Sequence, residues 1–360
     1  MHVPDGFIDA PVSVATGVVA AAAIGVSLRG ARRELTAGEA GGLGADRTAP
    51  LAGLVAAFIF AVQMLNFPVA AGTSGHLLGG ALAAILVGPY TGILCVSVVL
   101  LMQGVLFADG GLTALGVNIT TMGVVTVVVA YAVFRGLLAV LPRTRRSVTA
   151  AAFAGALLSV PAAASFFTLL YALGGTTDVP VGKVFTAMAG VHTLIGIGEG
   201  AITAATVGAV LAVRPDLVHG ARGLTTRLKL RVGGELVDAP AAPAAAAPAR
   251  PVVKVWATGL VTALVLAGFV SFYASASPDG LEKVAADQGI DAKVEEHAAA
   301  GSPLADYAVK DVADERLSGG LAGALGVGAT VAVGTGVFWL ARGRRRTGAG
   351  AGAGARADAV

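Results

Sequence analysis

Five histidines, His2, His76, His192, His219 and His297, are the side chains best suited to chemistry in this 360-residue chain. His2 has an unusual asset, because it follows the α-amine of Met1. That amine, the His2 peptide nitrogen and the His2 imidazole Nδ1 can close two fused chelate rings on one metal ion. Three nitrogens then lie in a plane, and a fourth completes a square, a geometry that suits Ni(II) or Cu(II). An α-amine with a pKa of about 7.7 to 8.0 gives up its proton readily to a metal. On spacing alone, the ordinary reading of such a terminus is a solvated end. His76 shifts that balance. It closes the Gly/Pro-interrupted stretch Asn66-Phe67-Pro68-Val69-Ala70-Ala71-Gly72-Thr73-Ser74-Gly75-His76 at the edge of a long uncharged region. Irregular backbone at membrane depth is tolerated only where it lines a cavity or is buried in protein, and interrupted helices are a common address for transport sites. A lone histidine there is more often a satisfied core residue, but one on the same side as a chelating terminus is a candidate fourth nitrogen. His219, in a basic loop, and His297, beside Glu295 and Glu296, read as solvated. The single cysteine, Cys95, lies in an apolar run; it excludes a disulfide framework and a multi-cysteine metal site and reads as a small core residue.

The elements that must carry these residues are membrane helices. The chain is 56% hydrophobic and 13% charged, with a mean hydropathy of +0.80. A soluble domain carries about 25% charge, so the expected fold class is an all-α polytopic membrane protein. The net charge of +3 comes from 25 basic and 22 acidic residues segregated along the chain, which does not indicate nucleic-acid binding. Because a charge at the bilayer centre costs about 2.5 to 3.5 kcal/mol, uncharged stretches mark the spans. These are Ala10 to Leu28, three helices within Thr48 to Ala108 if His76 to Gly88 is a short one, Gly110 to Phe134, Ser147 to Thr177, Val184 to Val213, Val255 to Pro278 and Leu317 to Ala341. Nine helices are expected. Segments 29–49, 135–146, 214–254 and 342–360 hold 20 of the 25 basic residues, so the positive-inside rule makes them cytoplasmic. The amino terminus is then extracytoplasmic and the carboxyl terminus cytoplasmic. The start MHVPDGFIDAP has no basic n-region and is expected to keep its own Met1.

The expected organisation is a seven-span metal-binding domain over 1–235, a Pro/Ala linker over 236–251 and a two-span module over 252–342 with an acidic outer loop. A disordered cytoplasmic tail is expected over 343–360. Residues 220–232 fit either a basic amphipathic helix or a solvated loop. Gly17, Ala21 and Gly25 form a small-residue ridge of the kind that lets helices approach, though Gly and Ala are abundant throughout.

Three segments carry a family resemblance. They are Met1-His2-Val3-Pro4-Asp5-Gly6-Phe7, Asn66-Phe67-Pro68 through Gly72-Thr73-Ser74-Gly75-His76-Leu77-Leu78-Gly79-Gly80, and Phe107-Ala108-Asp109-Gly110-Gly111-Leu112-Thr113-Ala114-Leu115-Gly116. Together with the run from His192 to Glu199, they resemble the CbiM/NikM family. Its members are the substrate-binding S components of energy-coupling factor (ECF) importers for cobalt and nickel. Pro278-Asp279-Gly280-Leu281-Glu282 resembles the PDGLE module, a two-span CbiN/NikN-like component. The resemblance implies a seven-helix S-component bundle plus a two-helix carboxyl-terminal module. It also implies a metal site of the Met1 amine, the His2 amide and imidazole, and His76, with the ion as transported substrate and no bound cofactor. Asn66, Gln103 and Asp109 become candidates for orienting those ligands, with a capped turn or a helix–helix hydrogen bond as the alternative for each. His192 and Glu199, seven residues apart on one helix face, are expected to form an interior polar stripe. No G-x-x-x-x-G-K-[ST] occurs in the chain, so the resemblance implies separate ATPase (A) subunits and a transmembrane coupling (T) subunit, with membrane lipid around them and no enzymatic activity here.

Two rival readings stand beside it. Gly72-Thr73-Ser74-Gly75 matches the GxSG of rhomboid intramembrane proteases, and His192 lies on a later span, as a Ser74/His192 dyad would require. A proton-coupled secondary metal transporter is the other. Between the two metals, a planar set of four nitrogens leans toward nickel.

Overall fold

In the computed structural model, residues 1–38, 45–70, 72–142, 144–222, 229–232, 235–238 and 252–342 are described. Backbone polar groups have no water to turn to in a bilayer and must pair within the chain, which is why apolar runs become helices. Helix α1 covers Ala10–Gly38 and α2 covers Ala45–Gln63. The short antiparallel hairpin β1 (Phe67–Ala70) and β2 (Thr73–Gly75) follows, with Phe67 opposite Gly75. Next come α3 (Gly80–Val87), α4 (Pro89–Leu106), α5 (Leu115–Asn118), a π-helical segment (Ile119–Val125) and α6 (Thr126–Val140). Helices α7 (Arg145–Gly174) and α8 (Val181–Val213) pair as a long hairpin. The second module consists of α9 (Val252–Gly268), α10 (Gly280–Gln288) and α11 (Glu315–Arg342).

Among the described residues, seven helices are long and apolar enough to cross a membrane, and Thr48–Gln63 is a shorter apolar one. The remaining expected span, His76 to Gly88, is different. Only eight residues of it are helical, a rise of about 12 Å against a hydrocarbon core of about 30 Å. Irregular chain from His76 to Gly79 makes up part of the crossing, and it is tolerated because seven of the eight α3 residues are buried in protein. The alternation of spans survives. Glu34, near the far end of α1, accepts hydrogen bonds from the Tyr90 and Thr91 N–H groups at the start of α4 (3.1 and 2.7 Å), while the other end of α4 leads to Asp109 beside His2.

Residues 219–221 form a 3₁₀ turn, and β3 (Lys229–Val232) pairs with β4 (Glu235–Asp238). Of residues 220–232, for which the sequence allowed an amphipathic helix or a loop, 229–232 form β3, and 223–228 lie outside the described residues. The linker beyond residue 238 and the tail from 343 fall outside the described residues. The second module packs mainly through α11 and α9 against α2. Gly53 permits that approach, since a Cβ there would meet the Thr335 hydroxyl oxygen at 2.4 Å. Large apolar side chains left outside, such as Val14, Val18, Leu158, Leu173 and Trp339, suit a lipid-facing surface.

Candidate metal centre

The amino-terminal strand is threaded into one end of the bundle and held on two sides. On one side, Ile8 bridges to Gly175, and the Asp9 N–H donates to the Gly174 carbonyl at 2.7 Å, fixing the strand to the α7–α8 turn. On the other, the Asp5 carboxylate accepts the Leu112 and Thr113 N–H groups (3.3 and 2.8 Å), and the Gly111 N–H donates to the Val3 carbonyl at 2.9 Å. Gly111 has to lack a side chain, because a Cβ would lie 2.3 Å from the Asp5 nitrogen. The last tie is Asn118, at the entrance to the π-helical segment. Its Oδ1 accepts from the Val3 N–H and its Nδ2 donates to the Val3 carbonyl. Such π segments recur at functional sites.

This threading buries Met1 to 2% exposure and brings its nitrogen to His76. The amine donates to His76 Nε2 at 2.8 Å. His76 Nδ1 donates to the Leu77 carbonyl at 3.1 Å, a pairing that leaves the Nε2 lone pair facing the amine. Two nitrogens bound side by side to one ion at about 2.0 Å each, at a right angle, lie about 2.9 Å apart. The hydrogen-bond separation seen here is close to that spacing. The His2 ring sits 5.1 Å from the His76 ring, centre to centre; its Nδ1 contacts Asp109 Oδ1, and its buried Nε2 has no hydrogen-bond partner. Among the described residues no three His, Cys, Asp or Glu side chains form a ready-made metal cage. The nitrogen cluster exists only because the chain terminus joins it.

The other expected residues are distributed as follows. Asp109 bridges His2 and Tyr307, whose hydroxyl donates to Asp109 Oδ2 at 2.6 Å. Burial pushes the Asp109 carboxyl up, but the His2 ring beside it and the Tyr307 hydroxyl outweigh that and bring it down to about 2. Gln103 is buried next to the Tyr307 hydroxyl, and its main-chain carbonyl accepts from the Phe107 and Asp109 N–H groups. Asn66 acts through its backbone, its carbonyl accepting the Ser275 N–H at 2.7 Å. His192 and Glu199 are both buried but do not pair with each other. His192 Nδ1 is bonded to the Met188 carbonyl at 2.8 Å. The Glu199 carboxylate receives the Leu78 and Gly79 N–H groups at 2.8 and 3.2 Å. It sits where the start of α3 has no side-chain cap of its own, and it fastens the loop that follows His76. The Ser74 hydroxyl is spent on the Ser277 carbonyl at 2.7 Å and makes no hydrogen bond to His192.

Three contributors lay outside the expected set. Asn118 is one. Asp279 is the second: its carboxylate pairs with the Met1 amine and lies 3.5 Å from His76 Nε2. Desolvation pushes this carboxyl up, and the amine and His76 together hold it well below the usual range. Tyr307 is the third. Asp279 was visible as the D-x-x-E capping pattern of the PDGLE segment, although nothing local points to the amine. His297 is also not solvated as expected: its Nε2 donates to the Gly110 carbonyl at 3.1 Å, adding to a clasp that the second module places over the site.

Comparison with known proteins agrees with this architecture. Residues 2–217 match the CbiM family model, described as a cobalt uptake substrate-specific transmembrane region, and residues 253–343 match the PDGLE domain. A Haloquadratum walsbyi protein provisionally named for metal transport is 40% identical over 218 residues, covering 61% of this chain and 93% of that one. The fused nickel transport protein NikMN of Rhodobacter capsulatus is 34% identical over 238 residues, covering 61% and 64%. A crystal structure of a transition metal transporter is similar with a TM-score of 0.50 at 25% identity, covering 59% of this chain and 93% of that one.

Proposed function

The chain belongs to the CbiM family and carries a fused PDGLE domain, and from that premise we propose how it handles its ion. It is a multi-pass membrane component of cobalt or nickel transport. Within that role it is the substrate-capturing S component of an ATP-driven ECF importer. It takes Ni²⁺ or Co²⁺ from outside with the Met1 amine, the His2 amide and Nδ1, and His76 Nε2. Its amino terminus faces outward and its carboxyl terminus the cytoplasm; ATP is hydrolysed on separate A subunits, coupled through a T subunit.

The observation that carries this reading is the 2.8 Å approach of the Met1 nitrogen to His76 Nε2 in a pocket that buries both. With the amine proton given up to solvent on binding, two nitrogens at that spacing with the His2 ring alongside offer a dication several lone pairs. Ligation by His2 takes Nδ1 from Asp109 to the ion and frees the Nε2 N–H, which has no partner in the metal-free chain, to donate to Asp109 in its place. A planar nitrogen set favours nickel over cobalt on geometry.

The decisive experiment adds one alanine before Met1 and leaves every side chain in place. Ni²⁺ affinity, measured by titration of the purified chain, is expected to collapse because the amine leaves chelating position. Affinity equal to that of the unmodified chain overturns the reading.

A further inference from the structure

Resting on the reading that Met1, His2 and His76 hold the ion, we propose that Asp279 and Tyr307 are positioning residues of the metal site. Both come from the carboxyl-terminal module, so the site is shared between the two halves of the chain. Asp279 sets the Met1 amine against His76, and Tyr307 sets the His2 ring through Asp109.

Asp279 is fixed before it meets the amine. As the N-cap of α10 it forms a capping box with Glu282: its Oδ1 accepts the Glu282 N–H, and Glu282 Oε2 accepts the Asp279 N–H, both at 2.9 Å. One side-chain oxygen satisfies a helix cap. The second, Oδ2, is turned to the amine and His76, which the helix does not require. The backbone just before it is hydrogen-bonded to β2, with the Ser74 N–H donating to the Pro278 carbonyl at 2.9 Å. His76 follows two residues after Ser74, so Asp279 and His76 ride on one hydrogen-bonded unit.

Tyr307 reaches the site from the other end of the same outer segment. Asp306 and Tyr307 both adopt left-handed backbone, with φ of +54° and +56°, a costly conformation for residues bearing a Cβ. It delivers the Asp306 N–H to the Phe107 carbonyl at 2.9 Å and stacks the Tyr307 ring on Phe107, with centres 4.8 Å apart. The hydroxyl then meets Asp109, whose other oxygen holds His2. Groups that orient metal ligands from one layer out typically change affinity 10–100-fold when removed.

The test uses the full chain with Asp279→Asn and Tyr307→Phe, each titrated with Ni²⁺ while the ligand-field absorption of the bound ion is recorded. Asparagine caps a helix as well as aspartate does, and phenylalanine keeps the ring stack, so each substitution spares the structural role of its residue. Each is expected to weaken affinity about 10–100-fold and to shift the absorption band, a loss larger than any change in the metal-free unfolding temperature accounts for. Wild-type affinity and spectrum in both variants overturn the proposal, as does an affinity loss that merely tracks a lower unfolding temperature. A His76→Ala control separates the two readings. If it too binds normally, the ligand assignment has failed; if it alone loses binding, only the shared site has.

Discussion

Asn118 and Val3 exchange two hydrogen bonds: the Val3 N–H donates to Asn118 Oδ1 at 2.8 Å, and Asn118 Nδ2 donates to the Val3 carbonyl at 3.0 Å. The amide side chain pairs with both backbone groups of one residue, the next one after the proposed chelate. The reach of the terminus toward His76 is thereby set by a residue on a distant helix.

Replacing Asn118 with Leu leaves the Val3 N–H buried and unpaired, at about 1–3 kcal/mol, while the Val3 carbonyl keeps the Gly111 N–H. Ni²⁺ affinity is expected to fall about tenfold, since each 1.4 kcal/mol is a factor of ten. Amide exchange at residues 3 to 5 should accelerate. Titration and hydrogen exchange check the two effects separately; slow exchange with full affinity would contradict the clamp.

Asp109→Asn removes the charge that holds the His2 ring, and affinity should drop about 10–100-fold. The pH dependence has a definite sign. The folded-state pKa of Asp109 is depressed to about 2, so its carboxylate is present well above that value and is lost only as pH falls through it. The ratio of wild-type to variant affinity should therefore stay constant from about pH 8 to about pH 5, even as both weaken through ligand protonation. A ratio that shrinks across that window would show that Asp109 titrates there.

Glu199→Gln keeps an oxygen for one of the Leu78 and Gly79 N–H groups and turns an NH₂ group toward the other. Losing a charge-assisted hydrogen bond costs about 1.5–3 kcal/mol. The unfolding temperature and Ni²⁺ affinity should fall together, because the loop that follows His76 loosens. A normal unfolding temperature would mean that Glu199 does not fasten that loop.

Ser74 is fully buried and its hydroxyl is committed to the Ser277 carbonyl. A fluorophosphonate probe should leave it unlabelled in the folded chain. Labelling at Ser74 would restore the hydrolase reading.

Much of this architecture can be read from composition, because charge is so costly in lipid that uncharged runs declare the helices. The meeting of Met1, His2 and His76 at one end was legible from chelate geometry and a broken hydrophobic run, and Asp109 was a candidate only through the family resemblance. What composition conceals is where chain leaves helical form without becoming polar. The eight residues of α3 are as apolar as a full span, and only their burial shows that they need not be one. Asn118 looks like a tolerated polar residue in a span until its partner is known. Asp279 lies 278 positions from the amine it meets, and no local pattern encodes that encounter. Tyr307 depends on two left-handed residues that neither glycine nor asparagine announces.

The second module is fastened at both ends of the bundle by contacts that bypass the connecting segment. At the end away from His2, the Arg32 Nε donates to the Ala341 carbonyl at 2.7 Å; near the hairpin, the Ser275 N–H reaches the Asn66 carbonyl. Adhesion therefore belongs to the surfaces, and the peptide join contributes effective concentration during assembly. Cut into two polypeptides made together, the halves would still find the same fit, at the cost only of a concentration-dependent meeting.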